Sequence, residues 1–260
     1  MPPTPPAYLR AGVLAAICIV SPYAPLHAAD LLNGQWTLNP ADTTGQVHLI
    51  LVRSGRPGNT FTHGSDWNAA DLKGLDLATA AKHDVRFTIA RDAGTFEAEG
   101  FVSGAEGAGL FKFTPNSSYA ANMAAAGFPG VEQEPQLGLA LGDVSVAFAR
   151  EMSALKIEGL DFRRLTAFRV HKVDAAYVKA MRAQGITATK ARDLVAFRIH
   201  GVTPEFAGAV RAQGFAPTDK QLVAMRIHSV TPEYISSLKA RGMEKLTLDK
   251  VISLKIHGIT

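Results

Sequence analysis

Cysteine is almost absent from the sequence: its 260 residues contain one, Cys18. This residue lies within an apolar N-terminal stretch that is predicted to be removed. Disulfides, thiolate metal ligands and cysteine nucleophiles are therefore excluded from the expected mature chain. The stability of such a chain has to come from packing.

Long apolar runs are also missing. The longest covers residues 11–20, about half the length of a membrane-spanning helix. Arg10 precedes it, and Ala28 and Ala29 lie just before the first acidic residue, Asp30. The pattern predicts a secretory signal peptide over residues 1–29, with an uncleaved anchor as the alternative. We therefore expect a periplasmic or secreted protein with no transmembrane span after signal removal.

Charge is distributed unevenly along the chain. Residues 1–140 contain 8 Lys and Arg against 12 Asp and Glu, whereas residues 141–260 contain 19 against 11. The C-terminal half is thus strongly basic. This asymmetry indicates either a basic binding surface or attraction between the two halves.

The strongest pattern is an internal repeat of about 29 residues. An aromatic residue is followed eight positions later by a helix-ending residue, and histidine recurs with the same period. The aromatic positions are Tyr119, Phe148, Tyr177, Phe206 and Tyr234, and the histidines are His171, His200, His228 and His257. Two independent landmarks with one period predict a repeated structural unit.

Each unit is predicted to be a helical hairpin. Thr203-Pro204-Glu205 is a typical helix start, and Gly214 is a typical left-handed stop. A second helix then begins near Thr218. Tyr177, Phe206 and Tyr234 are expected to be buried structural anchors, and Gly185, Gly214 and Gly242 to end the first helices. Residues 116–260 would hold two degenerate units, three clear units and one half unit.

The V-T-P-E-[YF] start, the stop glycine and the L-V-A-[FM]-R-I-H segment resemble a helical repeat family of exported bacterial proteins. Similar units occur with BlaR1-type membrane sensor metallopeptidases. The resemblance covers roughly Tyr119 to Thr260, and it implies only a fold unit. Peptidase activity is not implied, because the sequence has no His-Glu-x-x-His motif.

Residues 30–115 have a different pattern. Segments rich in β-branched and aromatic residues alternate with turn signals such as Arg91-Asp92-Ala93-Gly94. They predict a small antiparallel sheet or partly open barrel, and residues 133–139 are predicted to be linker-like. The expected fold class is therefore α+β: a β-rich domain followed by a solenoid-like αα-hairpin array.

Arg169, Arg198, Arg226 and Lys255 each lie two residues before a histidine of the repeat. Stacked units would align these cations and histidines as a binding surface, although ordinary solvation with pairing to nearby carboxylates is the alternative. Equivalent helices stack about 8–10 Å apart, so adjacent histidines cannot share a metal ion with bonds of about 2 Å. We therefore expect no metal site, no catalytic residue and no cofactor in the array.

These features favour a non-catalytic exported protein that binds or scaffolds through its helical face. The expected partner is a protein or an anionic envelope component, and not nucleic acid. Two alternatives remain. One is an accessory or sensor component of envelope-stress signalling. The other is an envelope hydrolase with a site on the β domain, around His48, His63, Asp66 and Trp67.

Overall fold

The computed structural model describes residues 32–54, 60–187, 190–243 and 245–259. The predicted signal peptide, including Cys18, lies outside these ranges. Within these ranges, a six-stranded antiparallel sheet is followed by ten helices, which confirms the predicted α+β class.

The sheet is built from two three-stranded meanders joined side by side. The strands are β1 (Asn33–Pro40), β2 (Gln46–Ser54), β3 (Thr60–Asn68), β4 (His83–Arg91), β5 (Gly94–Ser103) and β6 (Glu106–Pro115). Their order is β3-β2-β1-β6-β5-β4, so the first strand pairs with the last. A single 3-10 turn, Ala69–Asp71, follows β3.

The centre of the sheet is organised by Trp36, which is buried on β1. Its ring lies against Gly109 and Gly100, which face each other on β6 and β5. A Cβ on either glycine would come within 2.8 Å of the indole, so only glycine fits. The ring nitrogen donates a hydrogen bond to the carbonyl of Glu99 at 3.1 Å, and the ring meets Phe87 of β4 edge-on at 5.1 Å.

Ten short helices follow the sheet. They are α1 (Tyr119–Ala125), α2 (Gln133–Leu141), α3 (Val146–Ala154), α4 (Phe162–Val170), α5 (Ala175–Ala183), α6 (Ala191–Ile199), α7 (Pro204–Ala212), α8 (Asp219–Ile227), α9 (Pro232–Ala240) and α10 (Leu248–Ile256). Helices of this length are marginal in isolation, so packing between them has to supply their stability.

The helices form two sets. The even-numbered helices contact one another in order from α2 to α10, and the odd-numbered helices make the contacts α1–α3, α5–α7 and α7–α9. Each predicted unit from Phe148 onwards contains one odd and one even helix. Equivalent positions of successive units are therefore neighbours in space.

Helix α2 corrects one prediction. Residues 133–139, predicted to be a linker, lie in a helix that is buried on most sides. Gln136 Nε2 donates to the carbonyls of Ala93 and Asn116, both at 2.7 Å, which ties α2 to the sheet. The linker prediction was wrong because Pro135 and Gly138 resemble loop residues, although proline is well tolerated in a first helical turn.

Candidate docking surface on the even-numbered helices

The cation row, defined as Arg169, Arg198, Arg226 and Lys255, lies near the carboxyl ends of the even helices. Each cation covers the aromatic ring of the odd helix in its own hairpin. The rings are Phe148, Tyr177, Phe206 and Tyr234, at 5.3, 4.8, 5.0 and 4.5 Å from the four cations in order. Such cation–aromatic contacts stabilise each hairpin.

Two members of the cation row also join successive hairpins. Arg198 Nε donates to the carbonyl of His171 at 2.9 Å, and Arg226 Nε donates to the carbonyl of His200 at 3.4 Å. These carbonyls end α4 and α6, where the helix dipole is negative. The cation row therefore has structural contacts of its own. Carboxylate pairing, the alternative considered for the row, is seen at Arg169, whose Nη2 donates to Asp143 Oδ2 at 2.6 Å. A binding role for these cations stays a prediction.

The odd helices are joined by the same kind of contact, a cation that donates to a carbonyl at a helix end. Arg182 Nη2 donates to the carbonyl of Leu155 at the end of α3, at 2.9 Å. Lys239 Nζ donates to the carbonyl of Gln213 at the end of α7, at 2.7 Å. In both sets, a cation from one hairpin thus satisfies a terminal carbonyl of the hairpin before it.

The four histidines are the residues at which α4, α6, α8 and α10 end. Three are exposed and His171 is half-buried. His257 Nδ1 donates to the carbonyl of Ser253 within its own helix, at 2.7 Å. Within the described ranges, no group of three or more metal-ligating side chains could hold an ion.

The predicted anchors and stop glycines occupy defined places. Tyr177 and Tyr234 are buried, whereas Phe206 is half-buried beneath Arg226. Gly185, Gly214 and Gly242 follow the odd helices with φ of 70°, 87° and 84°. This left-handed conformation is the one that lets glycine end a helix.

Sequence reasoning missed an aliphatic row beside the cation row. Its members immediately follow the four cations and are Val170, Ile199, Ile227 and Ile256. All four are 53–61% exposed. Scattered surface aliphatics are ordinary, but one at the same position of four neighbouring helices forms a continuous feature. These residues are the central ones of the R-[VI]-H and K-I-H triplets in the sequence. Periodicity alone cannot tell whether such an aliphatic residue is exposed or lies in the core.

Positive charge is concentrated on the same helices. Within their bounds, α4, α6, α8 and α10 contain nine Lys and Arg against three Asp and Glu. Helices α3, α5, α7 and α9 contain five Lys and Arg against three Asp and Glu. Every Val, Ile, Leu, Met and aromatic side chain within them is buried or half-buried. We call the solvent side of α4, α6, α8 and α10 the even-helix face; it is both more basic and more apolar than the odd-helix side.

The even-helix face borders a cleft of about 340 Å³ at the sheet. Arg163 and Thr166 of α4 line one side, and Phe61 of β3 lies opposite. Arg53 of β2 is buried there and donates to Glu134 of α2 at 2.8 Å. The sheet and the helices thus meet at one end of this face.

The residues of the hydrolase alternative lie on two faces of the sheet. His48 Nδ1 is 2.6 Å from Asp66 Oδ1 on one face, above Gly64. On the other face, His63 Nε2 is 3.1 Å from Ser65 Oγ, which accepts a hydrogen bond from Trp67 Nε1. Burial lowers the pKa of His63. The four residues do not converge on one reaction centre.

A broad trough of about 840 Å³ crosses the solvent side of the sheet. Its carboxylates have basic neighbours: Glu97 faces Lys112 across the β5–β6 pair, and Glu99 is 3.7 Å from Arg86. The trough is wide open, and its charges largely compensate one another. Paired charges on an exposed sheet are an ordinary solvated surface.

Comparison of the chain with protein-family models, with curated proteins and with solved structures finds no match. In the part of the chain that the structure describes, every helix is too short or too polar to cross a membrane.

Proposed function

We propose that this protein is an exported, non-catalytic docking protein that holds an anionic partner on its even-helix face. Export rests on the signal-like residues 1–29. The docking role rests mainly on the aliphatic row, four side chains more than half exposed at equivalent positions of neighbouring helices. Exposure of aliphatic side chains to water is unfavourable, and covering them with a partner lowers the free energy of the complex.

The charge of the same face favours an anionic partner. Its excess of Lys and Arg creates a positive potential that attracts acidic surfaces and speeds their association. The cation row is already held against aromatic rings and helix ends. Its side chains lose little further conformational entropy when a partner binds, so the surface is preorganised.

The sensor-accessory alternative is a special case of this proposal, in which the partner is a membrane protein. The hydrolase alternative has less support, because His48 and Asp66 lie on the sheet face opposite His63 and Trp67. A histidine–carboxylate pair orients a base, but hydrolysis also needs a nucleophile or a bound water held beside it.

Site-specific photo-crosslinking in the native host tests the docking role. A photoreactive residue is placed at Ile199 or Ile227 on the even-helix face, and at Lys179 or Ser236 on the odd-helix side as matched controls. All four are exposed. We expect discrete adducts from the first two positions and none from the controls. Replacing Arg192 of α6 and Lys220 of α8 by Glu should weaken them strongly, because the four helices then contain seven basic against five acidic residues instead of nine against three.

Equal adducts from both sides, or adducts from Lys179 and Ser236 alone, would contradict the docking role. Export is tested separately by sequencing the N-terminus of the protein recovered from the periplasm or medium. We expect Ala29 or Asp30 as the first residue, and a retained Met1 would oppose export.

A further inference from the structure

A second row of charged residues accompanies the aliphatic row on the even-helix face. Its members lie seven residues before the aliphatic ones and are Arg163, Arg192 and Lys220, all exposed. We call them the outer basic row. Asp249 takes this position in α10 and accepts a hydrogen bond from Gln221 of α8 at 2.8 Å.

The two rows form the rims of a shallow groove. Residues seven apart on a helix lie on the same side, separated by about 10 Å along its axis. The positions between them are half-buried or buried: Ala167, Ala196, Ala224 and Ser253 lie four residues after the outer basic position of each helix, and Thr166, Val195, Val223 and Ile252 lie three residues after it. Helices α4, α6 and α8 thus each contribute one rim residue of each kind, and α10 contributes only the aliphatic one. One rim has a cation on three helices, of which Arg192 is 3.3 Å from the carboxylate of Asp193, and the other rim is aliphatic over four helices.

The dimensions suit a single extended chain. Stacked helices lie about 8–10 Å apart, so four helices span about 24–30 Å, the length of about eight extended residues. Successive side chains of an extended strand point to opposite sides. A strand in the groove would therefore direct alternate residues to the cationic rim and to the aliphatic rim.

Resting on the docking role above, we propose that this groove binds an extended polypeptide segment of about eight residues in which acidic and aliphatic side chains alternate. The acidic side chains pair with the outer basic row, and the aliphatic side chains cover Val170, Ile199, Ile227 and Ile256. Pairing with one rim and burial on the other fix which alternate side chains face each rim.

Two other occupants fit the face less well. A second copy of this chain would bring two positively charged faces together, which charge repulsion opposes. A membrane surface usually recruits exposed Trp and Tyr at the headgroup level. In the described part of the chain, both tryptophans are buried in the sheet, and the tyrosines are buried among the helices.

The test measures binding of labelled synthetic peptides to the purified protein by fluorescence anisotropy. The first peptide alternates Glu and Val over about eight residues. A block peptide has the same composition with all Glu at one end, and a third peptide has Lys in place of Glu. Vesicles of phosphatidylglycerol and phosphatidylethanolamine represent an anionic membrane.

The alternating peptide should bind at least about tenfold more tightly than either control peptide. The double variants Ile199→Ser/Ile227→Ser and Arg192→Gln/Lys220→Gln should each weaken it about tenfold, and the odd-side variant Lys179→Gln should not. Raising ionic strength from about 0.01 to 0.15 M should also weaken binding, since screening shortens from about 30 to 8 Å. Circular dichroism checks that each variant is folded, and the two double variants test the two rims independently.

Equal binding of the block peptide, preference for vesicles, or equal weakening by Lys179→Gln would overturn the extended-segment proposal. If no peptide binds selectively while crosslinks from Ile199 and Ile227 persist, the docking role stands and the class of partner is wrong. If those crosslinks are absent, the docking role itself fails.

Discussion

At the scale of single residues, three tyrosine hydroxyls make one recurring contact. Tyr119, Tyr177 and Tyr234 each donate at 2.7 Å to a backbone carbonyl 25 residues further along. The acceptors are Val144, Val202 and Ile259. Burial raises the pKa of Tyr177 to about 12, although the nearby Arg198 opposes the shift. The Tyr177 hydroxyl has to stay protonated to donate, so its contact depends on pH.

The raised pKa of Tyr177 predicts a loss of stability at high pH. A tyrosine titrates near pH 10 when unfolded and near 12 here, so its contribution is complete below pH 10 and is lost as pH rises towards 12. Tyr177→Phe should lower the free energy of unfolding by about 1 kcal/mol at neutral pH, because one hydrogen bond is lost. The substitution should also reduce the decrease in the free energy of unfolding between pH 10 and about 12. Urea titrations at several pH values measure both effects, and an unchanged alkaline slope would contradict the assignment.

The same register predicts a stabilising substitution. Phe148 occupies the tyrosine position of its unit, and Val173 lies 25 residues further on. Phe148→Tyr should therefore place a hydroxyl near the Val173 carbonyl and stabilise the protein by about 0.5–1.5 kcal/mol. The melting temperature measures the gain, with Phe168→Tyr, at a fully buried position of α4 outside the register, as the destabilised control. A lower melting temperature for Phe148→Tyr would show that the register does not place the hydroxyl there.

At the scale of elements, nearly every helix from α3 to α10 begins with a side-chain cap. Asp174, Thr203 and Thr231 each accept a hydrogen bond from the backbone nitrogen three residues later. Helix α6 differs, because Lys190 occupies its N-cap without a side-chain cap bond. The sequence pattern Thr-Pro-Glu predicted the caps of α7 and α9 directly.

These caps predict a pair of opposite effects. Thr203→Ala should destabilise the protein by about 1 kcal/mol, because the cap of α7 is lost. Lys190→Thr should stabilise it by up to about 1 kcal/mol, because α6 gains a cap and loses only an exposed ion pair with Glu158. Chemical denaturation of both variants provides the comparison. Effects of the same sign would mean that capping does not limit the stability of these helices.

Local patterns predicted the elements better than the contacts between them. The starts and stops of α7 and α9 follow from short motifs, and four of the six strands (β2, β4, β5 and β6) follow from segments rich in β-branched and aromatic residues. The contact of Arg198 with Tyr177 joins residues 21 apart, and that of Trp36 with Gly100 joins residues 64 apart. Neither leaves a local signal. The aliphatic row escaped prediction for a related reason, since exposure of Ile199 depends on neighbouring helices.

At the scale of the whole molecule, α2 and the residues that follow it join the sheet to the helices through polar contacts. Gln136 bridges the β4–β5 turn and the end of β6, and Arg91 pairs with Asp143 after α2 at 3.2 Å. The Asp92 carboxylate accepts a hydrogen bond from the Val146 nitrogen of α3. The buried residues of the sheet and of α1 to α6 form one continuous core.

Replacing Gln136 should weaken the coupling between the unfolding of the sheet and that of the helices. Gln136→Leu removes one of two donors from each carbonyl, since the Asn116 nitrogen also donates to Ala93 and the Tyr119 nitrogen to Asn116, so the loss should be about 1 kcal/mol for each hydrogen bond. Gln133→Leu, an exposed change in the same helix, is the matched control. Calorimetry should show a lower or divided transition for Gln136→Leu alone. The same transition for both variants would mean that Gln136 does not couple the sheet to the helices.

The links between hairpins also bear on how the protein responds to mechanical load. Contacts such as Arg226 to His200 and Lys239 to Gln213 run only from one hairpin to the preceding one. A second core, formed by α8, α9 and α10 with Val210, is joined to the first through the half-buried Phe206. A pulling force on the C-terminal end would therefore meet the smaller core first. The remaining hairpins would then detach one after another, each releasing roughly 90–100 Å of chain. The helical region would therefore lengthen in steps, and each step would absorb mechanical work.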